Sequence, residues 1–177
     1  MDIGSYLAQN ARKKPEKLAV VCEGRTYTYK QLNEEVNKLA HGLFGLGIRK
    51  GDKMALMMKN SDQFVLAFFA GAKIGAMIVP VNFRLTSSEV HYIFEQSESV
   101  VVFCDEEFEE TVTSAREGTH VLHVITTGTP KTVGHHSFDR VPVSNTEDPS
   151  VQVRDDDDLE ILYTSGTTGR RKGALFD

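Results

Sequence analysis

The 177-residue chain carries 20 Lys+Arg against 25 Asp+Glu, for a formal net charge of -5, with 40% apolar and 25% charged residues. This is the composition and length of a globular domain with a sizeable core, which excludes a disordered or collagen-like chain. Mild acidity without a basic stripe argues against a nucleic-acid partner, and two cysteines, Cys22 and Cys104, are too few for a disulfide framework and predict a reducing, cytoplasmic setting.

In chain order, Met1 to Leu7 does not read as a charged-then-apolar leader. Leu18 to Cys22 is an apolar run, Glu23-Gly24 a turn, and Thr26 to Thr28 an alternating segment, so a strand pair is expected. Thr28 and Gln31 stand at capping-box spacing, followed by Leu32, Val36, Leu39, Leu43 and Leu46 at helical intervals. Glu34, Lys38 and His41 fall on the opposite face, and Gly45 and Gly47 end the helix. Met54 to Met58 reads as a buried strand whose methionines fill core.

Phe64 to Val81 is nearly all apolar over 18 residues and could be taken for a membrane span. Lys73 interrupts it, with Gly71 and Gly75 nearby and Pro80 near its end. A helix opened by Asn60 and Gln63, running Phe64 to Ile74 and closed by Gly75, then a strand Met77 to Val79, accounts for it better, and no transmembrane segment is expected.

Thr86 with Glu89 forms a second capping box before Val90, Ile93 and Phe94. Val100 to Phe103 reads as strand, Phe108, Val112 and Ala115 as helix, and Val121 to Ile125 as strand. From Thr126 to Arg154 the pattern gives way to Gly, Pro, Thr, Ser, Asp and His, a long surface connection with room for one short strand. Asp155 to Asp158 is a solvated charge run, and Leu159 to Tyr163 a buried strand. Strands separated by helices imply right-handed crossovers: an α/β fold, mainly parallel, with helices on both faces of the sheet.

Residues 164–173 place four hydroxyl residues, three glycines and three cations just after a strand. Glycines let backbone N–H groups approach an anion, hydroxyls donate to phosphate oxygens, and Lys172 with Arg170 and Arg171 supplies countercharge. Composition alone equally describes a surface loop. The segment is not a Walker A loop: Arg171 stands where the second Gly belongs and Gly173 where Ser or Thr should follow the lysine.

The string Tyr163-Thr164-Ser165-Gly166-Thr167-Thr168-Gly169-Arg170-Arg171-Lys172-Gly173 closely resembles the phosphate-binding loop of the adenylate-forming, AMP-binding superfamily. Its pattern is Tyr-Thr-Ser-Gly-Thr-Thr-Gly-x-Pro-Lys-Gly, and Arg171 in place of Pro is the single departure. Thr26 to Leu32, Gly75 to Asn82 and Thr86 to Phe103 are similar to further segments of that family, so the resemblance covers nearly the whole chain. Among subfamilies it is most like a fatty-acid or medium-chain acyl-CoA synthetase.

The resemblance implies that 1–177 is an N-terminal AMP-binding subdomain, incomplete and cut after its phosphate loop at 164–173. The parent would be an ATP-dependent acid–thiol ligase using ATP, Mg²⁺ and CoA on a carboxylic acid of fatty-acid type. By position Thr164, Ser165, Gly166, Thr167, Thr168, Gly169 and Lys172 would hold the β- and γ-phosphates. The family's adenine, ribose, metal and lid motifs have no counterpart in 1–177, so no catalytic residue is assigned, the piece alone is expected to be inactive, and no ligand should bind it tightly. Exposure of Leu159, Ile161 and Tyr163 on the cut side would favour a homo-oligomer through that side.

Two other classes stay open: a non-enzymatic phosphate- or nucleotide-binding module, and a structural subdomain. No metal site is expected, since His135-His136 lacks ligand-spaced partners and Asp155 to Asp158 lacks the Gly and Glu of an EF-hand.

Overall fold

The structure, a computed structural model, describes residues 3–164 and 172–176. Helix α1, Ile3–Lys13, precedes an antiparallel hairpin of β1, Leu18–Cys22, and β2, Arg25–Thr28. Glu23 and Gly24, at φ 46° and 82°, make its two-residue turn, the left-handed pair that suits the twist of adjoining strands. Helix α2, Tyr29–Gly45, begins with the expected capping box: the Gln31 N–H donates to Thr28 Oγ1 at 3.3 Å and the Thr28 N–H donates to Gln31 Oε1 at 2.9 Å.

Then follow β3, Lys53–Met57; α3, Asp62–Ile74; β4, Met77–Pro80; α4, Ser87–Ser97; β5, Ser99–Cys104; a 3₁₀ turn at Glu106–Phe108; α5, Glu109–Ala115; and β6, His123–Thr126. The two-residue strand β7, His136–Ser137, the hairpin strands β8, Glu160–Thr164, and β9, Lys172–Phe176, complete the order. Gly75, at φ 71°, ends α3 in the left-handed conformation that a side chain would strain.

Seven strands form one sheet in the order β7-β6-β5-β3-β4-β8-β9, and every pairing is parallel except β8 with β9. The apolar run of β3 follows from cover on both faces. Met54 and Leu56 join Val36, Leu39, Leu43, Ile74, Ile78 and Phe103 beneath α2 and α3. Ala55 and Met57 join Val79, Val90, Phe94, Val102 and Val112 beneath α4 and α5. Among the described residues, no helix is long and apolar enough to cross a membrane.

Four local expectations shift. The cap of α3 is Ser61 rather than Asn60, its Oγ accepting from the Phe64 N–H at 3.1 Å, so the helix begins at Asp62. The 126–154 connection is not all surface: Phe138 and Val141 are buried, and Phe138 meets Phe103 edge-on at 5.8 Å. The strand expected at Leu159 to Tyr163 is half-exposed rather than buried, because β9 and not a helix is its outer neighbour. Its exposed apolar residue is Leu162, joined by Leu175 and Phe176 of β9, whereas Ile161 and Tyr163 pack against the core beneath α4 and α5.

Candidate functional site

Because β3, β4, β5, β6 and β8 run parallel, their carboxyl ends share one edge of the sheet, the edge at which open α/β sheets bind ligands. Thr164 ends β8 there. Antiparallel β9 starts at the same place, with Lys172 the register partner of Thr164 and Gly173 the partner of Tyr163. A Cβ on Gly173 would lie 3.0 Å from Ile161 Cγ2 and 3.3 Å from Tyr163 Cζ, so glycine leaves room for the Tyr163 ring. Burial raises the Tyr163 hydroxyl pKa, which keeps it a neutral donor.

The structure thus brings Thr164 and Lys172, eight positions apart in sequence, to facing exposed positions at the hairpin end. A hydroxyl and an ammonium at one strand end suit an anion rather than a metal ion. The other expected site residues, Ser165, Gly166, Thr167, Thr168 and Gly169, lie with Arg170 and Arg171 outside the described residues.

Beside this edge Asp105 gathers the turns after β3, β5 and β6. Its Oδ2 accepts from the Lys59 N–H at 2.8 Å and its Oδ1 from the Thr127 hydroxyl at 3.3 Å. Phe83 and Phe108 stack at 5.4 Å, with Arg84 5.8 Å from one ring and Lys59 5.7 Å from the other, and Lys59 also pairs with Glu107 at 2.6 Å.

Two lysines that the sequence reading gave no site role fix the approach to β8. Lys73, 7% exposed on α3, donates to Asn33 Oδ1 and Asn37 Oδ1 at 2.7 Å each and pairs with Asp148. Burial pushes the Asp148 carboxyl up, but Lys73, Asn37 and Arg12 outweigh it, and the net is a value below the usual 3.8. Lys50 donates to the Gln152 carbonyl at 3.0 Å and pairs with Asp157. A lone lysine in an apolar helix was the signal available for Lys73; Lys50 lies in an ordinary polar turn and gave none.

The candidate metal ligands find other partners. His135 Nδ1 donates to Glu109 Oε1 at 2.8 Å, and the Lys131 and Thr132 N–H groups donate to the same carboxylate at 3.0–3.1 Å. Burial raises the Glu109 pKa, but these donors outweigh it and hold the carboxyl below its ordinary 4.5. His136 turns to His123, 3.3 Å away, while Asp156 pairs with Arg154 and Asp157 with Lys50. Among the described residues no group of three or more His, Cys, Asp or Glu is placed to hold a metal ion.

The family model described as AMP-binding enzyme matches residues 7–177. The chain is 37% identical over 178 residues to the long-chain-fatty-acid–CoA ligase FadD13 of Mycobacterium tuberculosis, covering 98% of this chain and 34% of that protein. To the crotonobetaine/carnitine–CoA ligase of Escherichia coli it is 35% identical over 173 residues, covering 90% and 33%. The inhibitor-bound N-terminal domain of FACL13 from Mycobacterium tuberculosis superposes with a TM-score of 0.88 at 35% identity, covering 99% of this chain and 44% of that one. The chain spans about a third of the length of these curated relatives, 33–34%. A sheet whose carboxyl edge carries the Thr164–Lys172 pair, matched along nearly its whole length by that family model, places this chain in the AMP-binding enzyme family.

Proposed function

We propose that this chain is the N-terminal AMP-binding subdomain of a longer AMP-forming ligase, and that residues 164–173 grip the β- and γ-phosphates of ATP. The observation that supports this is the facing of Thr164 and Lys172 at the carboxyl edge of the sheet. The substrate is a carboxylic acid of fatty-acid type, in keeping with the names of relatives such as FadD13. In the first step a carboxylate oxygen attacks the α-phosphorus of Mg²⁺-bound ATP, and pyrophosphate leaves with the P–O bond pair. The CoA sulfur then attacks the acyl carbon, the thiol proton passes to solvent, and AMP leaves.

For the first step this chain supplies position and charge. Lys172 offsets negative charge that grows on the departing pyrophosphate, and the Thr164 hydroxyl donates to an oxygen of the same group. Neither residue is a nucleophile or a base. The chain spans about a third of its curated relatives, and on this reading residues 1–177 alone turn over no substrate. The two free cysteines suit work in a reducing cytoplasm.

The test compares the product of the complete reading frame with residues 1–177. The complete protein is expected to catalyse carboxylate-dependent ATP–pyrophosphate exchange with a fatty acid. Lys172→Ala should cost about a hundredfold in kcat/KM, the scale of losing one charge-stabilising donor. Turnover by 1–177 alone, or full activity in Lys172→Ala, would overturn the reading.

A further inference from the structure

The hairpin that carries Thr164 and Lys172 joins the sheet by few ladder pairs, although Ile161 and Tyr163 pack on the core. β8 meets β4 at one register pair, Ile78↔Glu160, whereas β3 meets β4 at four. Beyond that pair, the Ile78 N–H donates to the Leu159 carbonyl and the Leu159 N–H to the Phe176 carbonyl, each at 2.8 Å. The segment leading into β8 adds further holds on where the strand begins.

Residues 142–158, which lead into β8, are fastened at successive stations. The Val143 N–H donates to the Lys38 carbonyl at 3.2 Å, Asn37 Nδ2 to the Thr146 carbonyl at 2.7 Å, and His41 lies 3.0 Å from the Glu147 carbonyl. Lys73 takes Asp148. The last station is Lys50, whose ammonium holds both the Gln152 carbonyl and Asp157, three residues before β8. Asp157 also accepts the Arg154 N–H at 2.7 Å, which closes the turn around the same carboxylate.

The stem of Lys50 crosses the α3–β4 turn: a Cβ on Gly75 would stand 2.8 Å from Lys50 Cγ. One side chain therefore ties together the turn before β3, the turn before β4 and the segment before β8. We propose that Lys50 is a positioning residue for the phosphate-gripping hairpin, fixing the start of β8 and through it the place of Thr164 and Lys172. This rests on the proposed role of 164–173.

A strand is stiff enough to carry the effect. Asp157 and Thr164 are separated by about 23 Å of extended chain at roughly 3.3 Å per residue. A slip of one residue would exchange half-buried Ile161 and Tyr163 for exposed Leu162 on the core face. Holding Asp157 thus holds which residue arrives at the sheet edge.

The test uses the product of the complete reading frame and two readouts, amide exchange of peptides and the KM for ATP. Lys50→Met is expected to speed exchange over 159–164 by about fivefold, the scale of a part-exposed ion pair, while β3 and β5 stay as they were. KM for ATP should rise by about fivefold and kcat should stay within about twofold. Asp157→Asn should reproduce this, and Lys50→Arg, which keeps the charge and the donors, should restore both readouts.

Unchanged exchange over 159–164, or an equal rise in β3 and β5, would overturn the proposal. So would a loosened β8 with an unchanged KM for ATP in a protein where Lys172→Ala lowers kcat/KM. If Lys172→Ala leaves both kcat and KM for ATP untouched, the phosphate reading of 164–173 fails instead. The exchange pattern then still decides whether Lys50 sets β8.

Discussion

The body of the sheet and the hairpin at its end are built on opposite terms. In β3 and β5 almost every side chain is buried, and helices cover both faces. In β8 and β9 alternate or successive residues are exposed, one ladder pair reaches β4, and Ile161 and Tyr163 on the core share the remaining hold with polar stations outside the sheet. Burial is concentrated in the sheet body, and Thr164 and Lys172 stand at exposed positions of the hairpin. Substitutions in the two regions should therefore separate folding from binding.

The largest effect is expected in the body. Phe103 is fully buried between Phe138 and the helices above β5, so Phe103→Ala should cost about 3–5 kcal/mol in urea unfolding. A cost below about 1 kcal/mol would mean that the sheet body is not where stability lies.

Glu109 gives a smaller effect with a sign fixed by its environment. Its carboxylate serves three donors, and Glu109→Gln would turn an amide N–H toward the Lys131 N–H, for a loss of about 1–3 kcal/mol at neutral pH. The folded carboxyl lies below its ordinary 4.5, so its contribution is present above that value and is lost as pH falls through the folded value. Wild type and variant should converge in stability as the pH is lowered below 4.5; a gap that stays constant with pH would contradict this assignment.

The smallest effect on folding is expected in the hairpin. Leu175→Lys on β9 should change unfolding free energy by no more than about 0.5 kcal/mol. Yet Leu162, Leu175 and Phe176 are exposed on a hairpin whose outer strand is the last of the sheet among the described residues, and we expect two copies of residues 1–177 to pair there. Sedimentation at micromolar concentration should show self-association that Leu175→Lys abolishes. A monomer at that concentration, or a dimer indifferent to the substitution, would show that the hairpin is no adhesive edge.

The parts legible in the sequence were those with short-range causes. The capping boxes Thr28–Gln31 and Thr86–Glu89, the Glu23-Gly24 turn and the Gly75 stop each involve residues within four positions, and all appear where expected. Helix α1 was not anticipated because its buried face consists of Gly4, Leu7 and Ala8, too small and sparse for a period to show. Strand β9 was missed because Lys172 to Phe176 has no alternation and becomes a strand through pairing with β8. Of the candidate site, the string 163–173 announced phosphate chemistry, but nothing in it says what holds it in place.

The sequence by itself determined the alternation of strand and helix, the parallel sheet and the family, because periodicity, caps and a motif with one departure are written in neighbouring residues. Only the tertiary structure decided that Lys73 would meet Asp148, 75 positions away, that Glu109 would take His135, 26 positions away, and that Lys50 would reach Asp157, 107 positions away. A buried or half-buried charge needs a counter-charge and donors at hydrogen-bond distance, and any of several exposed aspartates could have met that need. Which one does so is fixed by the path of the chain over the sheet, a property that no local pattern records.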